Sequence, residues 1–237
     1  MTLNVAHHEE ILVKILKAIA DDVSLAPHLA FKGGTAAMLF YHLDRFSVDL
    51  DFDLLDKNQE EAVFQGILDI LKKYGTIKES QNKKHTLIFL LSYEGKAENA
   101  QNLKVEVNKR PFGSRYEIKT FMGIAIRVMV QEDMAAHTLV AMYERMGRTN
   151  RDIYDVWFFL HHNWPINQEI ILSRTSMEYG AFLNHCINAL EQLDNRYILK
   201  GLGELLSEKQ KIWVKAKLKS ETIFLLTLKA RSERTYT

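Results

Sequence analysis

The sequence predicts an α+β protein: a mixed sheet with flanking helices in the first half, then a helical C-terminal region. Three observations carry this. Up to about residue 130, apolar residues recur alternately with a helical period and with a period of two. One segment, residues 48–54, alternates apolar and acidic side chains without a break, as a strand with two different faces does. From Gln131 onward strand signals are few and helical patterns dominate. The expected domains are therefore an α/β core over 1–130 and a helical domain over 131–237.

The elements follow in order. Ile11, Leu12, Ile15, Leu16 and Ile19 line one face of a helix over 5–20. After Pro27, residues 28–31 read as a short strand that runs into Lys32-Gly33-Gly34-Thr35, with Thr35 as the expected N-cap of a helix through Leu43. The acidic strand comes next, then an amphipathic helix over 58–74 closed by Gly75. Strands are expected over 86–93, 103–107, 116–121 and 124–130, separated by turn residues such as Asn108, Pro111 and Gly113. The second half predicts helices over 132–146, 152–161, 168–194 and the tail to 229.

Composition narrows the function classes. With 237 residues, 47% of them hydrophobic, the chain has enough apolar material for a core, which excludes a disordered polymer. A single cysteine, Cys186, excludes an intrachain disulfide and argues against a cysteine-based zinc cluster. The 31 basic and 30 acidic residues exclude a uniformly basic nucleic-acid binder. Residues 1–20 mix charged and apolar side chains, unlike a signal peptide, and the longest apolar runs are too short for a membrane span. A cytoplasmic protein with no membrane partner is expected.

The charges are unevenly placed. Residues 44–61 hold seven acids against two bases, and residues 200–237 hold nine Lys or Arg against four Glu. Asp49, Asp51 and Asp53 share one strand face, where carboxylates repel unless a cation intervenes. Three readings are open: a solvated face of an edge strand, a Mg²⁺ or Mn²⁺ site, and a calcium loop completed by Glu60. Leu54 stands where a calcium loop needs glycine, which counts against the last. Upstream, Gly33-Gly34-Thr35 between a strand and a helix suits close approach of backbone N–H groups to a phosphate.

Lys32-Gly33-Gly34-Thr35-Ala36-Ala37 followed by Arg45-Phe46-Ser47-Val48-Asp49-Leu50-Asp51-Phe52 resembles the DNA polymerase β-type nucleotidyltransferases. More narrowly, it resembles the AbiEii/AbiGii (MenT-like) toxin family, with its KGGT-type turn and R-x-S-x-D-h-D strand (h apolar). The similarity continues through Glu132-Asp133-Met134-Ala135-Ala136-His137, Arg145 and Arg151-Asp152-Ile153-Tyr154-Asp155.

The resemblance implies a polymerase β-type fold. It also implies transfer of a nucleoside monophosphate from an NTP to a hydroxyl of RNA (tRNA included) or protein, and a toxin role in a toxin–antitoxin or phage-defence pair. On that basis Asp49, Asp51 and Glu106 are the metal ligands for Mg²⁺ or Mn²⁺. Lys32, Gly33, Gly34, Thr35, Arg45, Ser47, Arg145 and Asp152 are nucleotide contacts. The expected partners are an NTP, the acceptor and a cognate antitoxin. One departure stands out: the family's D-x-x-x-K spacing from Asp133 reaches His137, or Thr138 one position on, and not a lysine. His137 is the candidate replacement, with a weaker, pH-dependent charge. The alternative is a catalytically degraded relative of the same fold that binds nucleotide or RNA.

Other features read structurally. The pairs His7-His8 and His161-His162 diverge on a helix and chelate poorly. Trp157, Phe158 and Phe159 read as core. Lys211, Lys215, Lys217 and Lys219 around Trp213 form either an RNA groove or a solvated helix face.

Overall fold

The computed structural model describes residues 4–93 and 101–235; residues 1–3, 94–100 and 236–237 lie outside it. The chain forms two compact units: Met1–Pro111 with Arg115–Met129, and Phe112–Ser114 with Val130–Thr237. The helical region thus begins at Val130, and the short segment Phe112–Ser114 goes with it.

In the first unit seven strands make one sheet: β1 (Leu29–Lys32), β2 (Leu50–Leu54), β3 (Thr76–Lys83), β4 (Thr86–Tyr93), β5 (Gln101–Asn108), β6 (Tyr116–Phe121) and β7 (Ile124–Met129). Their order is β3-β4-β5-β2-β1-β7-β6. The pairs β2–β5 and β1–β7 are parallel and the others antiparallel, so the sheet is mixed. The unit's helices are α1 (Val5–Asp21), α2 (Gly33–Tyr41) and α3 (Glu60–Leu71). Leu12, Ile15, Leu16 and Ile19 of α1 are buried, as their spacing requires. Phe31 and Phe52 meet across β1 and β2 with ring centroids 5.2 Å apart.

Several expectations need correction. Thr35 does not cap α2: Lys32 occupies the N-cap position and the helix begins at Gly33. The helix expected over 58–74 starts after a short 3-10 turn, Lys57–Gln59, and ends at Leu71. Gly75 serves close approach instead, since a Cβ there would lie 2.3 Å from the Ser92 carbonyl oxygen. Strand β3 has no counterpart among the strands the sequence predicts. It is an outer strand, polar on both sides, and carries no apolar alternation to read. The acidic strand β2 lies in the middle of the sheet, paired on both sides, which rules out both an edge strand and a calcium loop.

The second unit is helical: α4 (Gln131–Arg145), α5 (Arg151–His161), α6 (Gln168–Thr175), α7 (Tyr179–Gln192), α8 (Glu208–Trp213) and α9 (Lys219–Thr235). A π-helical turn, Val214–Leu218, joins the last two. The single helix expected over 168–194 is in fact α6 and α7. Ser176 adopts a left-handed conformation (φ 58°) and its N–H closes α6 on the Leu172 carbonyl. The core includes Leu139, Ile153, Tyr154, Phe159, Phe182, Leu183, Cys186 and Leu226. No helix among the described residues is long and apolar enough to cross a membrane.

Candidate active site

The site is built on one face of the sheet. Register places Asp51 beside Glu106 across the parallel pair β2–β5, and beside Lys32 across the antiparallel pair β1–β2. Val105 and Val107, which flank Glu106, are fully buried on the opposite face. Asp49 precedes β2, and its backbone carbonyl accepts a hydrogen bond from the Thr35 hydroxyl. The turn into α2 comes equally close. Gly33 has φ +77°, and a Cβ there would stand 2.6 Å from Asp51 Oδ2. A Cβ on Gly34 would stand 2.8 Å from Arg45 Nη2 and 2.9 Å from Ser47 Oγ. Arg45 and Ser47 are themselves buried, and Arg45 Nη1 donates to the Phe46 carbonyl at 2.8 Å. Glycine at both positions lets the start of the helix abut the acidic strand.

A residue outside those the sequence marks stands against two of the carboxylates. Lys104 lies two positions before Glu106 on β5, so their side chains share a face. Its Nζ donates to Glu106 Oε2 at 3.0 Å and lies 3.7 Å from Asp49 Oδ2. Burial alone would lower the Lys104 pKa, but Asp49, Asp51 and Glu106 outweigh it and hold the ammonium above the ordinary lysine value. Its signal in the sequence was the same spacing of two that marked the aspartates. Among the described residues, no three acidic, histidine or cysteine side chains form a ready-made metal cluster. Two of the three expected ligands, Asp49 and Glu106, instead lie against an ammonium.

Asp53 plays a different part from its neighbours. It is buried and accepts hydrogen bonds from Lys32 Nζ (2.5 Å), Asn108 Nδ2 (2.7 Å) and the Tyr116 hydroxyl (2.9 Å). Lys32 is thereby engaged in an ion pair within the sheet. His8, set aside in the sequence as half of a poor chelating pair, is buried, and its Nε2–H donates to the Val48 carbonyl at 2.9 Å. Its Nδ1 meets the Tyr93 hydroxyl. His8 thus fixes the backbone next to Asp49.

His137, Arg145 and Asp152 lie in the second unit. Arg174 Nη1 donates to His137 Nδ1 and to the His137 carbonyl, both at 3.1 Å, so that ring nitrogen is an acceptor. The hydrogen then sits on Nε2, which meets Ser114 Oγ at 2.7 Å. Arg174 Nη2 also donates to Glu144 at 3.0 Å. This geometry holds His137 as a neutral imidazole, with the positive charge on Arg174. Arg145 pairs with the buried Asp152 at 2.8 Å. In the basic tail, Lys211 pairs with Glu208, and Lys219 donates to the carbonyls of Glu191 and Leu193, so part of that charge serves helix ends.

A mixed sheet with a Gly-Gly turn abutting an Asp-x-Asp strand, and an acidic residue on the adjacent strand, defines a nucleotidyltransferase-type protein. The family described as "Nucleotidyl transferase AbiEii toxin, Type IV TA system" matches residues 14–217, and the chain belongs to that family. Among solved structures the fold is similar to a Helicobacter pylori protein that bears the name nucleotidyltransferase (TM-score 0.69, 21% identity, 100% of this chain and 99% of that one). It is also similar to JHP933 of Helicobacter pylori (TM-score 0.61, 20% identity, 100% and 99%). A third similar structure is MenT4, a nucleotidyltransferase toxin of Mycobacterium tuberculosis (TM-score 0.58, 17% identity, 97% and 86%). Among curated proteins none matches significantly.

Proposed function

We propose that the chain is a divalent-metal-dependent toxin enzyme that moves a nucleoside monophosphate from an NTP to a hydroxyl of RNA, tRNA among the candidates, or of protein, releasing pyrophosphate. The observation that carries this is the convergence of three carboxylates beside the Gly33–Gly34 turn: register sets Asp51 next to Glu106, Lys104 Nζ lies 3.0 Å from Glu106 and 3.7 Å from Asp49, and Gly33 stands against Asp51. The donor set fits Mg²⁺ or Mn²⁺, because it is all oxygen and already holds a positive charge in the form of Lys104. When bound, such an ion neutralises charge on the transferred phosphate and lowers the pKa of the attacking hydroxyl. Asp49, Asp51 and Glu106 would hold it. The glycine turn lets backbone N–H groups at the start of α2 face the triphosphate, with Arg45 and Ser47 behind them. The family name supports an antitoxin partner, and NTP chemistry suits the cytoplasm.

The test is incubation with each labelled NTP, Mg²⁺ or Mn²⁺ and total RNA or protein. Asp49→Asn and Asp51→Asn are each expected to lower transfer by at least about a hundredfold. Product formed equally well by both variants would overturn the mechanism. The absence of a lysine at the family spacing, with His137 engaged by Arg174, favours a second reading as a nucleotide-binding relative without transfer. NTP binding with no product under every condition would establish that reading.

A further inference from the structure

We propose that Lys104 is a displaceable internal cation: its ammonium holds the carboxylate site together without metal, and a divalent ion binds by evicting it. The inference rests on the metal-binding reading above and adds a competitor to it.

The geometry makes the competition direct. Lys104 Nζ sits 3.0 Å from Glu106 and 3.7 Å from Asp49, the same carboxylates a metal would need. Lys104 bridges Asp49 and Glu106, two carboxylates that would otherwise repel one another. With a divalent ion among them, an ammonium at that distance would be repelled in turn. Lys104 cannot retreat inward, because its neighbours Leu103 and Val105 fill the buried face of β5. Its side chain is 32% exposed, and the flexible four-carbon stem can carry the charge outward. Glu106 is turned to Lys104, so the carboxylate a metal would take is already engaged. Once displaced, the ammonium is free to meet an anionic triphosphate.

The experiment measures Mn²⁺ binding to the full chain by the loss of the free-ion paramagnetic resonance signal, for the natural protein, Lys104→Met and Lys104→Arg. Lys104→Met should bind Mn²⁺ several-fold more tightly, melt at a lower temperature without metal, and gain more than the natural protein when Mn²⁺ is added. Lys104→Arg should stay close to the natural protein. Equal or weaker Mn²⁺ binding by Lys104→Met, beside a natural protein that binds, overturns this proposal alone. No Mn²⁺ binding by any of the three overturns the metal reading and this proposal together. A second measurement is independent of how the variants fold: mass-spectrometric reductive methylation of the natural protein. Modification of Lys104 should quicken when Mg²⁺ is present, and an unchanged rate would count against eviction.

Discussion

Three aspartates alternate along one stretch of chain and look equivalent in sequence, yet their partners differ. Asp49 faces Lys104 and Asp51 faces the glycine turn, whereas Asp53 is enclosed by Lys32, Asn108 and Tyr116. The acidic run and the Gly-Gly turn were legible because period and spacing are local. The division of labour was not, because it depends on cross-strand partners 21 to 63 residues away. Asp53→Ala should therefore cost roughly 3 kcal/mol of stability by leaving Lys32 without its buried partner, measured by urea unfolding. Gly33→Ala should act on the site: both the positive φ and the 2.6 Å approach to Asp51 exclude a Cβ. Transfer should fall sharply, with a stability loss of only about 1–3 kcal/mol. Activity retained in that variant would show that the close approach is dispensable.

At the scale of elements, segments with strong periods were readable and those without were not. The stripe of α1 announced itself, but β3 is polar on both sides and its pairing with β4 had no apolar pattern to report it. The role of His8 was hidden for a similar reason, since its partners, Val48 and Tyr93, come from other elements. Burial, the main cause, lowers the His8 pKa below 6.5. The unfolded chain then binds the extra proton first, so His8 contributes stability fully above about pH 6.5 that is lost as pH falls below it. The melting temperature of the natural protein should drop more steeply between pH 7 and 5 than that of His8→Gln; parallel slopes would contradict this. The π turn Val214–Leu218 carries one residue more than an α-helical path needs. Deleting the exposed Ala216 is expected to restore an α-helical path with little change in melting temperature.

For the molecule as a whole, the change of texture near residue 130 was visible because strand and helix periods differ so strongly. The transfer of Phe112–Ser114 to the helical unit was not, because a three-residue segment has no period. Cys186 reports on that unit. It is buried, and burial pushes its thiol up to about 12, so it should resist alkylation in the native protein and react only on unfolding. Rapid labelling at neutral pH without denaturant would contradict its placement in the core.

The polar character of β3 has a counterpart at the other end of the sheet. An outer strand invites pairing with a second chain unless polar or charged side chains discourage it. β3 exposes Lys78, Gln81 and Lys83, whereas β6 and the turn after it expose Ile118 (62%) and Met122 (72%). The two margins therefore differ in stickiness, and heat-induced aggregation should nucleate at β6. Ile118→Lys would then delay the onset of turbidity, while a lysine added to β3 would do little.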